Sequence, residues 1–103
     1  MSGRVAGKKI VVTGAAQGLG AAIARRAAEE GAKLMLADIN AEGCERQAAQ
    51  INAERGAGTA FACALDVTEE NQWIAALEAA DAAMGGISGL VNNAGIAGGK
   101  GGI

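Results

Sequence analysis

Apolar residues along this chain fall into four short runs, separated by three stretches in which they recur at helical spacing. The first run, Lys9 to Thr13 (Lys-Ile-Val-Val-Thr), is β-branched and ends in glycine, as a buried parallel strand does. From Leu19 onward, Leu19, Ile23 and Ala27 repeat with helical period, and Gly31 supplies a stop. Lys33 to Ala37 predicts a second strand. Asn40 then stands where a helix cap is needed, and Ala41, Cys44, Ala48 and Ile51 mark one face of a helix that Gly56 closes. Thr59 to Leu65 predicts a third strand. Thr68 is the expected next cap, Glu69 and Glu70 place negative charge where a helix dipole favours it, and Trp73, Leu77, Ala80 and Met84 form the expected buried stripe up to Gly85-Gly86. Ile87 to Val91 predicts a fourth strand, leading into Asn92-Asn93-Ala94-Gly95.

The order is βαβαβαβ. Right-handed crossovers between parallel strands then predict an α/β fold: a partial, Rossmann-type doubly wound sheet with strand order 3-2-1-4 in three layers. The first two helices should cover one face and the third the other, leaving strand four as an open edge. Residues 1–95 are expected to form this half-domain, and the glycine-rich residues 96–103, without periodicity, a mobile tail.

Composition narrows the picture. The 103 residues support one domain. Half are apolar, 17 are glycine and aromatics make up 2%, so packing must rest on close backbone approach and small side chains. A formal net charge of −2, with signs interspersed, leaves no basic stripe for nucleic acid and no polybasic anchor for a membrane. With no apolar run of about eighteen residues and no secretory leader at the N-terminus, the expectation is a soluble, cytoplasmic protein. Cys44 and Cys63 lack metal-ligand spacing and read as small buried hydrophobes; no metal site is expected.

Thr13-Gly14-Ala15-Ala16-Gln17-Gly18-Leu19-Gly20 lies between the first strand and the first helix, the context that a dinucleotide-binding turn requires. Gly14 would permit the tight turn, Gly18 would let backbone reach a pyrophosphate, and Gly20 would let the helix pack closely, with free N–H groups at the helix start facing phosphate. Taken alone, the motif reads equally as an ordinary glycine-rich loop. Asp38 ends the second strand about twenty residues further on, where a carboxylate can accept from adenosine ribose hydroxyls. It would repel a ribose 2′-phosphate, and Gln17 with its neighbouring alanines offers no cation to hold one. Charge therefore favours NAD over NADP. Taken alone, Asp38 also reads as a solvated loop acid.

Together, Thr13-Gly14-x-x-x-Gly18-x-Gly20, Asp38, Asp66-Val67 and Asn92-Asn93-Ala94-Gly95, in this order, make the chain resemble the N-terminal, cofactor-binding half of the short-chain dehydrogenase/reductase family. The resemblance implies that the Leu19 backbone meets the pyrophosphate, with Gly14, Gln17, Gly18 and Gly20 completing the cofactor-binding turn, and that Ile39 lies by the adenine beyond Asp38. It also implies that Asp66 and Val67 contact the adenine edge, and that Asn92, Ala94 and Gly95 line the nicotinamide-side ribose. All these positions follow the C-terminal ends of predicted parallel strands, where open α/β sheets bind ligands.

Family members act through a Tyr, a Lys four residues later, a Ser and a further Asn, all downstream of the Asn-Asn-Ala-Gly segment. The sequence has no Tyr and no His. Ser88 would lie at the start of strand four, away from the cofactor, and Lys100 lies in the glycine-rich tail with no Tyr before it, so neither is a replacement. No catalytic residue is assigned. The expectation is the NAD-binding portion of an oxidoreductase of alcohols or carbonyls, truncated before its catalytic residues and inactive alone. The alternative is a stand-alone, non-catalytic half-Rossmann module. In either case the open edge of strand four predicts a homo-oligomer, formed by pairing through that strand, or a missing C-terminal half.

Overall fold

A computed structural model describes residues 6–93 of the chain. The elements run β1 (Lys9–Thr13), α1 (Gly18–Glu29), β2 (Lys33–Asp38), α2 (Ala41–Arg55), β3 (Ala60–Ala64), α3 (Glu70–Met84) and β4 (Gly89–Asn92). All three strand pairings are parallel, and the sheet order is β3-β2-β1-β4. The predicted fold class, topology and order are those observed. Boundaries differ by one or two residues, most at β4, which starts at Gly89; just before it Ser88 donates its N–H to the Lys9 carbonyl and accepts the Lys9 N–H on its hydroxyl, each at 2.7 Å.

Register explains the three layers. Val12 is level with Leu36 and Val91, and Ile10 with Leu34, so these side chains share one face. There they meet Ala24 and Ala28 of α1 and Cys44, Ala48 and Ile51 of α2. Val11 and Met35, one residue out of phase, point the other way and pack on Ala80 and Met84 of α3. Alanine on all three helices lets them lie close to the sheet, as the shortage of aromatics requires.

Two expectations about α3 are corrected. Its N-cap residue is Glu69, without a side-chain cap, rather than Thr68. Thr68 instead closes an Asx-type turn, its hydroxyl and amide both donating to Asp66 Oδ1 at 2.6 and 3.0 Å, and the helix starts one residue later than expected. The buried stripe runs through Ala76, Ala80 and Met84, and Leu77 is exposed. Ala76 packs with Ala37 and Leu65, a contact close enough to favour the smaller side chain, while half-buried Trp73 donates its indole N–H to the Val67 carbonyl at 2.8 Å. At α2 the expected cap is present, Asn40 Oδ1 accepting from the Gly43 amide at 3.0 Å. Among the described residues no helix is long and apolar enough to cross a membrane.

Candidate functional site

Parallel pairing brings the C-terminal ends of all four strands to one edge of the sheet, and the segments that leave them form the candidate site. From β1 the chain turns through Gly14 and Gly18, at φ of 65° and 61°, a region that side chains with a Cβ rarely occupy. It enters α1 with Gln17 extended and no side-chain cap, and with no acidic residue in the first turn. The amides of that turn have no intrahelical acceptors and lie at the positive end of the helix dipole. This is a ready anion cradle. A Cβ on Gly20 would run into the Gly14 carbonyl oxygen and stand 2.9 Å from Asn93 Nδ2, so Gly20 is set by close approach to the loop itself rather than to the sheet.

Asp38, at the end of β2, is fastened to that loop. One carboxylate oxygen accepts from the Ala16 amide at 3.1 Å and the other from the Asn40 amide at 2.9 Å. The carboxylate thus faces the glycine turn from the neighbouring strand. Beyond it, Asp38, Ile39, Leu65, Asp66 and Val67 line a cavity of about 180 Å³. Ile39 is 73% exposed and Leu19 66%, two large apolar side chains standing free at the same edge. The Thr68 hydroxyl and amide hold the Asp66 carboxyl below its usual range, so it is anionic at neutral pH. From β4, Asn92 Oδ1 accepts from the buried Thr13 hydroxyl at 2.9 Å, and Asn93 donates to the Gly14 carbonyl at 3.3 Å.

Gly14, Gln17, Gly18, Leu19, Gly20, Asp38, Ile39, Asp66, Val67 and Asn92 thus all lie along one edge. Ala94 and Gly95, the tail 96–103 and its Lys100 fall outside the described residues. Ser88 lies at the opposite end of the sheet, beside Lys9. Burial, with the nearby Asp38 charge adding to it, pushes the Cys44 thiol up to about 12, and burial also raises Cys63, so neither is a thiolate nucleophile at neutral pH. Among the described residues no group of His, Cys, Asp and Glu could hold a metal ion.

Sequence reasoning missed three contributors. Asn93 and Thr13 tie β4 to the glycine turn, and a polar Thr at the end of an apolar strand was the available signal. Gln47 donates to the Ala16 carbonyl at 3.3 Å from the second turn of α2, which helical spacing alone does not reveal. The donor set suits a dinucleotide: uncapped amides for a diphosphate, a carboxylate for ribose hydroxyls and an apolar-walled slot for a base.

Comparison with known proteins gives the family and the fold. The family profile described as short chain dehydrogenase matches residues 8–102. D-threitol dehydrogenase of Mycolicibacterium smegmatis is 49% identical over 94 residues, covering 91% of this chain and 35% of the relative. A hydroxysteroid dehydrogenase from Escherichia coli superposes with a TM-score of 0.79 at 36% identity, over 86% of this chain and 36% of that one. A 3-ketoacyl-(acyl-carrier-protein) reductase from Brucella melitensis, complexed with NADH, gives 0.76 at 37% identity, over 84% and 33%. The chain spans about a third of the length of these relatives.

Proposed function

The chain belongs to the short-chain dehydrogenase family, and from that premise we propose that it is the NAD-binding portion of an oxidoreductase acting on an alcohol or carbonyl group. The observation that carries this reading is the Asp38 carboxylate held against the glycine turn by the Ala16 amide. A hydroxyl-bearing ribose can donate to such a group, whereas a 2′-phosphate meets like charge with no cation in the turn to offset it. The amides of Gly18, Leu19 and Gly20 would hold the pyrophosphate, with Gly14 and Gln17 shaping the turn. Ile39, Asp66 and Val67 would hold the adenine, and Asn92, Ala94 and Gly95 the second ribose. The bound dinucleotide would supply hydride-transfer chemistry, and residues 1–95 orient it.

The described residues place no Tyr or His at this edge, and both Asp38 and Asp66 are read as cofactor contacts, so binding and no proton transfer is assigned to them. The free thiols of Cys44 and Cys63 suit the reducing cytoplasm that the reading implies.

Calorimetric titration of the folded chain with NAD and with NADP tests the proposal. Saturable binding of NAD, with NADP weaker by about tenfold or more, is the expected result; about 1.4 kcal/mol of charge repulsion suffices for that ratio. Equal affinity for both, or none for either, would refute it.

The second reading, a stand-alone module that self-associates, is favoured by β4. Among the described residues this strand pairs only with β1, and Leu90 on it is 51% exposed. Sedimentation of the folded chain as a monomer at high concentration would rule out pairing through that edge.

A further inference from the structure

Ala16 is held through both of its peptide bonds. Its N–H donates to Asp38 and its carbonyl accepts from Gln47 Nε2 at 3.3 Å. The Gln47 amide is oriented in turn, because its Oε1 accepts from Arg25 Nη2 at 3.1 Å, a nitrogen that also reaches Gln50 Oε1 at 3.2 Å. Arg25 has no carboxylate partner among the described residues, so its charge falls on these two amides. Polarising Gln47 through its oxygen strengthens the N–H that it offers to the loop. Gly43, one turn before Gln47, lets α2 approach: a Cβ there would stand 2.8 Å from the Ala16 Cβ. The turn that precedes α1 is therefore positioned by α2.

We propose that Gln47, oriented by Arg25, is a positioning residue for the phosphate-binding turn: it fixes the carbonyl of the peptide between Ala16 and Gln17 and so the aim of the Gly18 and Leu19 amides, without touching the ligand. The inference rests on the reading of this edge as a dinucleotide site. Ala16 lies two residues before Gly18, and a rotation of the peptide that joins it to Gln17 turns the chain that leads to the first turn of α1, while the preceding peptide keeps its N–H on Asp38. Loss of the strut costs affinity for the pyrophosphate while leaving the adenosine end of the site, between β2 and β3, in place.

Gln47→Glu and Gln47→Leu together isolate the effect, because the first adds a charge beside the turn and the second does not. The Gln47→Glu carboxylate keeps, and strengthens, the contact with Arg25 but cannot donate to a carbonyl, so helix pairing survives while the grip on the loop is lost. In the full chain, freeing the peptide between Ala16 and Gln17 should loosen the adjacent Ala16 N–H on Asp38, so that the Ala16 amide of this variant exchanges with solvent about tenfold faster than in the wild type, the scale of one hydrogen bond, and the thermal midpoint should fall less than in Gln47→Leu because the Arg25 contact is kept. Affinity for NAD should fall by a similar factor and affinity for adenosine stay as it was. Gln47→Leu, which removes both contacts, should show the same split between NAD and adenosine.

Wild-type exchange at Ala16 in both variants would overturn the proposal, as would equal losses for NAD and adenosine. If the wild-type chain binds neither ligand, the dinucleotide reading fails, and the exchange rates alone decide whether Gln47 holds the turn.

Discussion

Replacing Asp38 with asparagine should unsettle the fold as well as the site. The two carboxylate oxygens serve two different segments, the Ala16 amide of the glycine turn and the Asn40 amide at the start of α2. Asparagine has one oxygen, so one amide loses its acceptor and faces an NH₂ group instead. Asn40 is exposed and water can replace its partner, but Ala16 is only 7% exposed. If the oxygen stays with Asn40, a buried donor is left unsatisfied; if it turns to Ala16, a charge-assisted bond becomes a neutral one of roughly half the strength. The expected loss is about 2 kcal/mol, within the range of about 1–3 kcal/mol for a buried unsatisfied donor. For a domain of this size that corresponds to a fall in midpoint on the order of 10 °C. Thermal denaturation followed by circular dichroism measures it. A midpoint within about 2 °C of the wild type would show that the carboxylate does not hold the turn, since that shift corresponds to less than about 0.5 kcal/mol. A corollary concerns cofactor preference: Asp38→Ser, made to admit a 2′-phosphate, should lower stability together with specificity.

Three further outcomes follow from the geometry. Gly20→Ala should cost more than Gly18→Ala in urea midpoint, because the first drives a methyl into the Gly14 backbone, about 1–3 kcal/mol of overpacking or more, while the second meets open space and pays only about 1–2 kcal/mol for its positive φ; the reverse order would contradict the contact. The Asp66 carboxyl should titrate by NMR below its ordinary value of 3.8 and return toward it in Thr68→Val; because its folded value is lowered, its contribution to stability is present above 3.8 and lost as pH falls through the lower value. Cys44 should resist alkylation at pH 8.5 in the folded chain and react on unfolding. Because its folded value is raised to about 12, the stability linked to it is intact below its ordinary 9.0 and falls as pH rises through that window, by at most about 1.4 kcal/mol per pH unit.

Much of the candidate site was legible because its residues are tied to strand ends. Val11 and Val12, Leu34 and Leu36, and Gly14, Gly18 and Gly20 are read from local pattern, and parallel pairing then places whatever follows each strand on one edge. The α3 stripe was misread by one position, Leu77 for Ala76, since a helical period leaves the packed face uncertain by about one residue and the sheet chose the smaller side chain. Thr68 was misread because a Thr shortly before a helix serves a preceding Asx-type turn as readily as a cap, and here its N–H and O–H both donate to Asp66 while the helix starts one residue later.

What the sequence determined by itself is the alternation of elements, the strand order and the family motifs, all of which rest on periodicity and on glycines placed where a side chain would strain or crowd the turn. The tertiary structure alone decided how the glycine turn is held. Asp38, Gln47 and Asn93 reach it from β2, α2 and the end of β4, separated from it by about twenty to eighty residues, and a hydrogen bond across that distance leaves no trace in local spacing.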